Sequence, residues 1–208
     1  MQVNGPNLNE WQIDNLPNRL TLLRIALVPV VITALLLSET SWAVLNQYQA
    51  TLSYLAAWSF AVAAITDLLD GVIARKKNLV TLFGSFLDPM ADKFLVVSSL
   101  LVLQHLGRIP VILVIILVFR EMYIMALRLL AQERGLIVPV SVIGKYKTVG
   151  QMIGIPLLMA NDTPWWFCPM PLIGKIFIHL AAILSLVSAI LYTLKLFQKL
   201  RQRTQHMK

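Results

Sequence analysis

The stretch DLLDGVIARKKNLVTLFGSFLDPMAD, residues 67–92, holds four of the chain's ten acidic residues: Asp67, Asp70, Asp88 and Asp92. The first pair lies three residues apart and the second pair four, with Arg75, Lys76 and Lys77 between them. On a helix, those separations bring side chains to one face. The stretch therefore predicts two helices, each offering two carboxylates, joined by a short cationic link. A link that short makes the helices antiparallel, so the four carboxylates can converge.

Everything around this stretch is apolar. The 208-residue chain is 58% hydrophobic and 13% charged, where a soluble domain is about a quarter charged. A membrane protein is the first reading. The net charge of +8 does not point to nucleic acid, because the basic residues sit at the ends of apolar runs. There they set topology and meet anionic headgroups. A single cysteine, Cys168, excludes an intrachain disulfide framework and a cysteine-based zinc site.

Six apolar runs follow one another: 20–37, 52–74, 83–106, 111–130, 148–160 and 173–196. The fourth is expected to end at Gly135. The fifth is short alone and is expected to begin near Ser141, with Lys145 and Lys147 on its first turns. The first run suffices for about 30 Å of hydrocarbon. The first is too long for a signal-peptide core, and no small-residue cleavage site follows it. Pro29 and Pro156 are expected to kink their helices. The reading is an all-α, six-span chain: a polar interfacial segment at 1–19, a catalytic membrane domain at 20–197 and a basic tail at 198–208.

Lysine and arginine alternate with the loops. Arg19 and Arg24, then Arg75 to Lys77, then Arg134, Lys145 and Lys147, then the five basic residues of 195–208 fall on one side. The intervening loops carry none, Arg108 and Lys175. By the positive-inside rule both termini and the Asp-bearing link face the cytoplasm. Trp42, Trp165 and Trp166 then mark the opposite interface.

An Asp at the centre of a spanning helix costs about 2.5–3.5 kcal/mol, so four cost on the order of 10 kcal/mol if left bare. Pairing with Arg75, Lys76 and Lys93 in headgroup water is the simple explanation for one such residue. It does not reach Asp67, which lies roughly 12 Å along the helix from Arg75 at ~1.5 Å per residue. The acids also share their faces with small residues: Asp67, Asp70, Gly71 and Ala74 on one helix, Gly84, Asp88 and Asp92 on the other. Small residues admit a close neighbour or a ligand. Two divalent cations would neutralise four carboxylates, and oxygen-only donors favour Mg²⁺, Mn²⁺ or Ca²⁺ over zinc. Two such ions suit phosphoryl transfer.

The pattern Asp67-x2-Asp70-Gly71-x2-Ala74-Arg75-x8-Gly84-x3-Asp88-x3-Asp92 resembles, position for position, the signature of the CDP-alcohol phosphotransferases. The resemblance implies a six-helix membrane enzyme, usually a homodimer. In such an enzyme an alcohol attacks the lipid-bearing phosphoryl group of a CDP-linked substrate and CMP leaves. It implies metal ligation by Asp67, Asp70, Asp88 and Asp92, with Mg²⁺ or Mn²⁺ as the ion. Asp92 is the implied general base. Thr21, Asp67, Gly71, Ala74, Arg75 and Gly84 are the implied CDP-binding residues.

The acceptor alcohol is read from a second basic set, Arg120, Arg128, Lys145 and Lys147. Arg120 follows a nine-residue apolar run and is costly there unless paired. Glu121 is offset by about 100° from it and is expected to neutralise a different neighbour. Arg120 and Lys147 together suit a second phosphate, which an uncharged acceptor would not need. Snorkelling explains Arg134, and His105, His179 and His206 receive no role. Two stretches, NLPNRLTLLRIALVPV at 15–30 and REMYIMALRLLAQERG with VIGKYKT at 120–148, resemble the bacterial phosphatidylglycerophosphate synthases of that family. That resemblance implies CDP-diacylglycerol and glycerol 3-phosphate as substrates and the bacterial inner membrane as location. The alternatives are another acceptor (phosphatidylglycerol, inositol phosphate or serine), a divalent-cation transporter, or a structural scaffold. The transporter reading suffers because the acids cluster near one face.

Overall fold

The computed structural model describes the backbone of residues 16–40, 47–77, 82–136, 142–161 and 169–206. It describes their side chains except those of 16–18, 68–77, 82–89, 92 and 203–206. The described residues are all-helical, without strand, in six helices. They are α1 (Leu16–Leu37), α2 (Gln49–Lys77), α3 (Leu82–His105), α4 (Val111–Glu133), α5 (Val142–Ala160) and α6 (Met170–His206).

Each helix matches one apolar run, and most reach further than the run does. α1 starts four residues before Leu20, and Pro17 falls in its first turn, where a missing N–H costs no bond. α2 continues through Arg75, Lys76 and Lys77. α6 continues through the basic tail to His206. Hydropathy marks what lipid tolerates, whereas Lys, Arg and Gln are good helix formers that prolong a helix into water. α5 does begin near Ser141 and carries Lys145 and Lys147 on its first turns. The helical backbone runs unbroken through Pro29 and Pro156.

The turns follow local chemistry. Gly107 takes φ +68 between α3 and α4. Gly135 takes φ +61 after α4, where its N–H bonds to Gln132 O and the Leu136 N–H reaches Ala131 O, both at 2.8 Å. This 5→2 and 6→1 pair is a Schellman stop, which needs a residue tolerant of the left-handed region. Asn161, at φ 47, follows the end of α5.

The chain divides into two compact units. In the first, α1 packs along both α2 and α3. Val31 and Leu35 of α1, Ala56, Phe60 and Ala63 of α2, and Leu95, Leu100 and Leu103 of α3 are buried there. In the second, α4 packs on α6, with Ile124, Ala131, Tyr192 and Leu196 forming a buried cluster. α5 lies against α6 along a glycine seam. A Cβ on Gly174 would stand 2.8 Å from Leu158 Cγ and 3.0 Å from the Gly154 carbonyl oxygen, and one on Gly150 would stand 3.4 Å from Ala181 Cβ. The backbones approach as closely as they do because no side chain separates them.

The outer surface is apolar. Trp58, Phe94, Phe119, Tyr146 and Ile190, from α2 to α6, are all more than half exposed. A surface of large exposed apolar side chains marks contact with lipid or another protein. Two described helices, Arg19–Leu37 and Met170–Gln202, are long and apolar enough to cross a membrane. Trp11, Trp42, Trp165 and Trp166 lie outside the described residues.

Candidate active site

The four signature acids sit on α2 and α3, which only residues 78–81 separate. Helical backbone passes through 67–70 and 88–92, so each pair shares a helix face, as the three- and four-residue spacings require. Of the quartet, Asp67 alone has a described side chain. The side chains of Asp70, Gly71, Ala74, Arg75, Gly84, Asp88 and Asp92 lie outside the described residues. Among the described residues, no group of three or more His, Cys, Asp or Glu side chains is placed to hold a metal.

Asp67 has a partner that the sequence did not assign to it. Arg24 of α1 places Nη1 2.8 Å from Asp67 Oδ1. Arg24 is fully buried and Asp67 is 32% exposed. Thr21 stands one turn earlier on α1 and is also fully buried. Thr21 and Arg24 thus turn the same face of α1 inward, and at Arg24 that face meets the first acid of the signature. The sequence did carry a signal: a charge three residues after Thr21, well inside an apolar run. Counting it towards topology obscured it.

In the second unit, the described geometry brings together Arg120, Glu121 and Lys147. Arg120 of α4 donates from Nε to the Ser185 carbonyl of α6 at 3.2 Å, and from Nη2 to Ser188 Oγ. Its Nη1 donates to Glu121 Oε1 at 3.3 Å. The Lys147 ammonium of α5 pairs with that same Oε1. Glu121 therefore neutralises a different neighbour, as expected, and Arg120 as well. Arg120 and Lys147 are buried, at 9% and 2% exposure. A buried cation needs such partners, because desolvation otherwise costs several kcal/mol.

Arg128 and Lys145 stand apart from this hydrogen-bonded cluster. Both are exposed, and the Arg128 guanidinium lies 6.0 Å from the centre of the Tyr192 ring, within cation–π range. Ser185 and Ser188, an i, i+3 pair inside an apolar helix, are site residues that sequence reasoning missed. Beside the cluster a cleft of about 480 Å³ opens between α4 and α6. Arg120 is the one charged side chain among its lining residues, with Ile115, Phe119, Tyr123, Ile190 and Thr193 among the rest. The Tyr123 and Thr193 hydroxyls meet at 3.1 Å.

A half-buried acid on α2 of the first unit and a buried cationic cluster tying α4, α5 and α6 of the second are charged groups set in apolar helices, where such residues mark functional sites. Comparison with known proteins agrees: the CDP-alcohol phosphatidyltransferase family matches residues 14–194. The chain belongs to that family, enzymes that transfer phosphatidyl groups in phospholipid synthesis, and the resemblance carried by Asp67 to Asp92 is borne out. It is 39% identical over 160 residues to the CDP-diacylglycerol–glycerol-3-phosphate 3-phosphatidyltransferase of Bacillus subtilis, covering 76% of this chain and 82% of the relative. It is 38% identical over 183 residues to a probable phosphatidylglycerophosphate synthase of Mycobacterium tuberculosis, covering 88% of this chain and 78% of the relative. A Rickettsia bellii CDP-diacylglycerol–glycerol-3-phosphate 3-phosphatidyltransferase is 35% identical over 179 residues, covering 86% of this chain and 93% of the relative.

Proposed function

We propose that this chain converts CDP-diacylglycerol and sn-glycerol 3-phosphate into phosphatidylglycerophosphate and CMP. The observation that carries the choice of acceptor is the buried Arg120–Glu121–Lys147 cluster. Among the described residues, the cluster sets two buried cations against one carboxylate inside an apolar bundle. A phosphate-bearing acceptor uses those cations and a neutral one does not. The names of the bacterial relatives support the same substrate pair. Family membership sets aside the transporter and scaffold readings.

In this reading the chain spans the bacterial cytoplasmic membrane six times, with both termini and the Asp-bearing link in the cytoplasm and a second copy as partner. The exposed apolar faces and the lysine and arginine distribution support it. Thr21, Gly71, Ala74, Arg75 and Gly84 line the CDP pocket, where a planar guanidinium suits a phosphate. Asp67, Asp70, Asp88 and Asp92 hold divalent metal. Their chemistry fits the ion, since hard oxygen donors suit Mg²⁺ or Mn²⁺, and the described member, Asp67, is partly exposed and held in place by Arg24. When bound, the metal neutralises charge on the transferring phosphoryl group and on the leaving phosphate.

The residues divide the work. Arg120 and Lys147 bind the acceptor's phosphate and so present its 1-hydroxyl. Asp92 takes the hydroxyl proton as the oxygen attacks the lipid-bearing phosphorus. The new P–O bond forms, the P–O bond to the bridging oxygen breaks, and CMP leaves with that oxygen. Low-dielectric surroundings strengthen each of these electrostatic contacts.

The test is purified protein in detergent with CDP-diacylglycerol, Mg²⁺ and a panel of acceptors, following CMP. Release that depends on glycerol 3-phosphate is the expected result. Release with inositol phosphate, serine or phosphatidylglycerol instead would move the chain to another branch of the family.

A further inference from the structure

We propose that Glu121 is a resident counter-anion that the acceptor's phosphate displaces, so that acceptor binding here is an exchange of one anion for another. The inference rests on the reading that Arg120 and Lys147 take that phosphate.

The cluster is asymmetric in a way that separates its fixed parts from its exchangeable one. Arg120 is fixed independently of Glu121, because Nε and Nη2 are bonded to Ser185 O and Ser188 Oγ of α6. Lys147 is almost fully buried on α5. Glu121 is the open member, at 22% exposure. Both of its ion pairs fall on a single oxygen, Oε1. One carboxylate atom bridging two cations is a minimal solution to a real problem. Two like charges cannot converge in a low-dielectric bundle without an anion between them. Glu121 supplies that anion and keeps the pair together.

A phosphate monoester is the better partner. It carries up to two negative charges, and its several oxygens can meet each cation separately, whereas Oε1 must serve both. When it arrives, Arg120 stays on its α6 anchors and the Glu121 carboxylate turns away through the side it already exposes. This makes Glu121 a specificity-determining residue. A neutral acceptor would have to break two ion pairs and replace neither, and a singly charged carboxylate gains nothing over the one already present. Discrimination by leaving polar groups unpaired against the wrong ligand is stronger than discrimination by shape.

The experiment compares the full-length protein with Glu121→Gln, which keeps the shape and removes the charge. Inorganic phosphate is the probe. It is measured as a competitor of glycerol 3-phosphate in CMP release, and by calorimetry in detergent without CDP-diacylglycerol. Exchange predicts that phosphate binds about tenfold more tightly in Glu121→Gln. It also predicts that acetate, inert towards the wild type, becomes a competitor in the variant by taking the vacated position. A folded Glu121→Gln protein that binds phosphate equally or more weakly would overturn the proposal. Should that variant fail to fold, Glu121→Asp replaces it. Its shorter carboxylate bridges the cations less well, so phosphate affinity should rise in the same direction by a smaller factor, and a fall or no change overturns the proposal. If phosphate neither binds nor competes in the wild type, the acceptor assignment falls and this inference with it. Normal wild-type turnover and competition without the gain in Glu121→Gln removes only the role of Glu121.

Discussion

Arg24 on α1 meets Asp67 on α2 across 2.8 Å, with the arginine fully buried and the aspartate about one-third exposed. A charge on the first apolar run therefore meets the first acid of the Asp67–Asp92 stretch. The contact is an ion pair, and in the proposed metal site it would give one ligand a charged neighbour that fixes its position.

Replacing Arg24 by Gln should break that pair. Breaking a buried ion pair costs about 3–5 kcal/mol, and the exposure of Asp67 lowers this to about 2–3 kcal/mol. Thermal unfolding in detergent, followed by tryptophan fluorescence, should show a lower midpoint, and Mn²⁺ affinity should fall about tenfold or more. Arg24→Lys should recover part of both. Unchanged stability and metal affinity in Arg24→Gln would reduce the pair to a solvated contact.

Asp92→Asn should depress CMP release about 10²–10⁴-fold, the range for losing a general base, with helicity and elution volume unchanged. Chelation should silence the wild type as well, and Mg²⁺ or Mn²⁺ should restore it. An Asp92→Asn protein with more than a tenth of wild-type turnover would remove the base assignment.

Arg120→Ala should raise the KM for glycerol 3-phosphate by about 10–100-fold, as expected for a charge-assisted phosphate contact. The KM for CDP-diacylglycerol should move little. Arg128→Ala should have the smaller effect, since Arg128 is exposed beside Tyr192 and outside the hydrogen-bonded cluster. Equal effects from the two substitutions would mean that burial does not select the phosphate ligand.

Gly174→Ala should destabilise the second unit by about 1–3 kcal/mol, the usual cost of overpacking. The new Cβ would lie 2.8 Å from Leu158 Cγ and 3.0 Å from the carbonyl oxygen of Gly154, and the backbone atom cannot rotate away. Gly107→Ala, with nothing within 4 Å of the added Cβ but a left-handed φ of +68, separates backbone strain from crowding.

Much of this was legible in the sequence, for local reasons. Apolar runs located the six described helices, and Gly135, where the fourth was expected to end, takes positive φ. The eight-position pattern from Asp67 to Asp92, with Gly71, Ala74, Arg75 and Gly84 among the acids, carried the resemblance to the family that the chain belongs to. Helix ends were less legible, because Arg75 to Lys77 and the tail to His206 stay helical beyond the hydrophobic stretch. Partners between helices were the least legible. Periodicity says which residues share a face and is silent on what the face meets. Arg24 therefore read as a topology charge, Ser185 and Ser188 went unnoticed, and Arg120, Arg128, Lys145 and Lys147 were grouped by charge alone. Packing separates them: Arg120 and Lys147 are buried around Glu121, and the other two are exposed.

The glycine seam has a consequence for substrate size. Gly150 stands three residues from Lys147, and its contact Ala181 stands one turn from Ser185, the anchor of Arg120. Glycines on both helices hold the α5 and α6 backbones at close range, and Lys147 and Ser185 rise from backbones held at that spacing. Such a spacing resists adaptation. In the proposed acceptor site, a larger anion would have to part these two helices to be held between Lys147 and the anchor of Arg120.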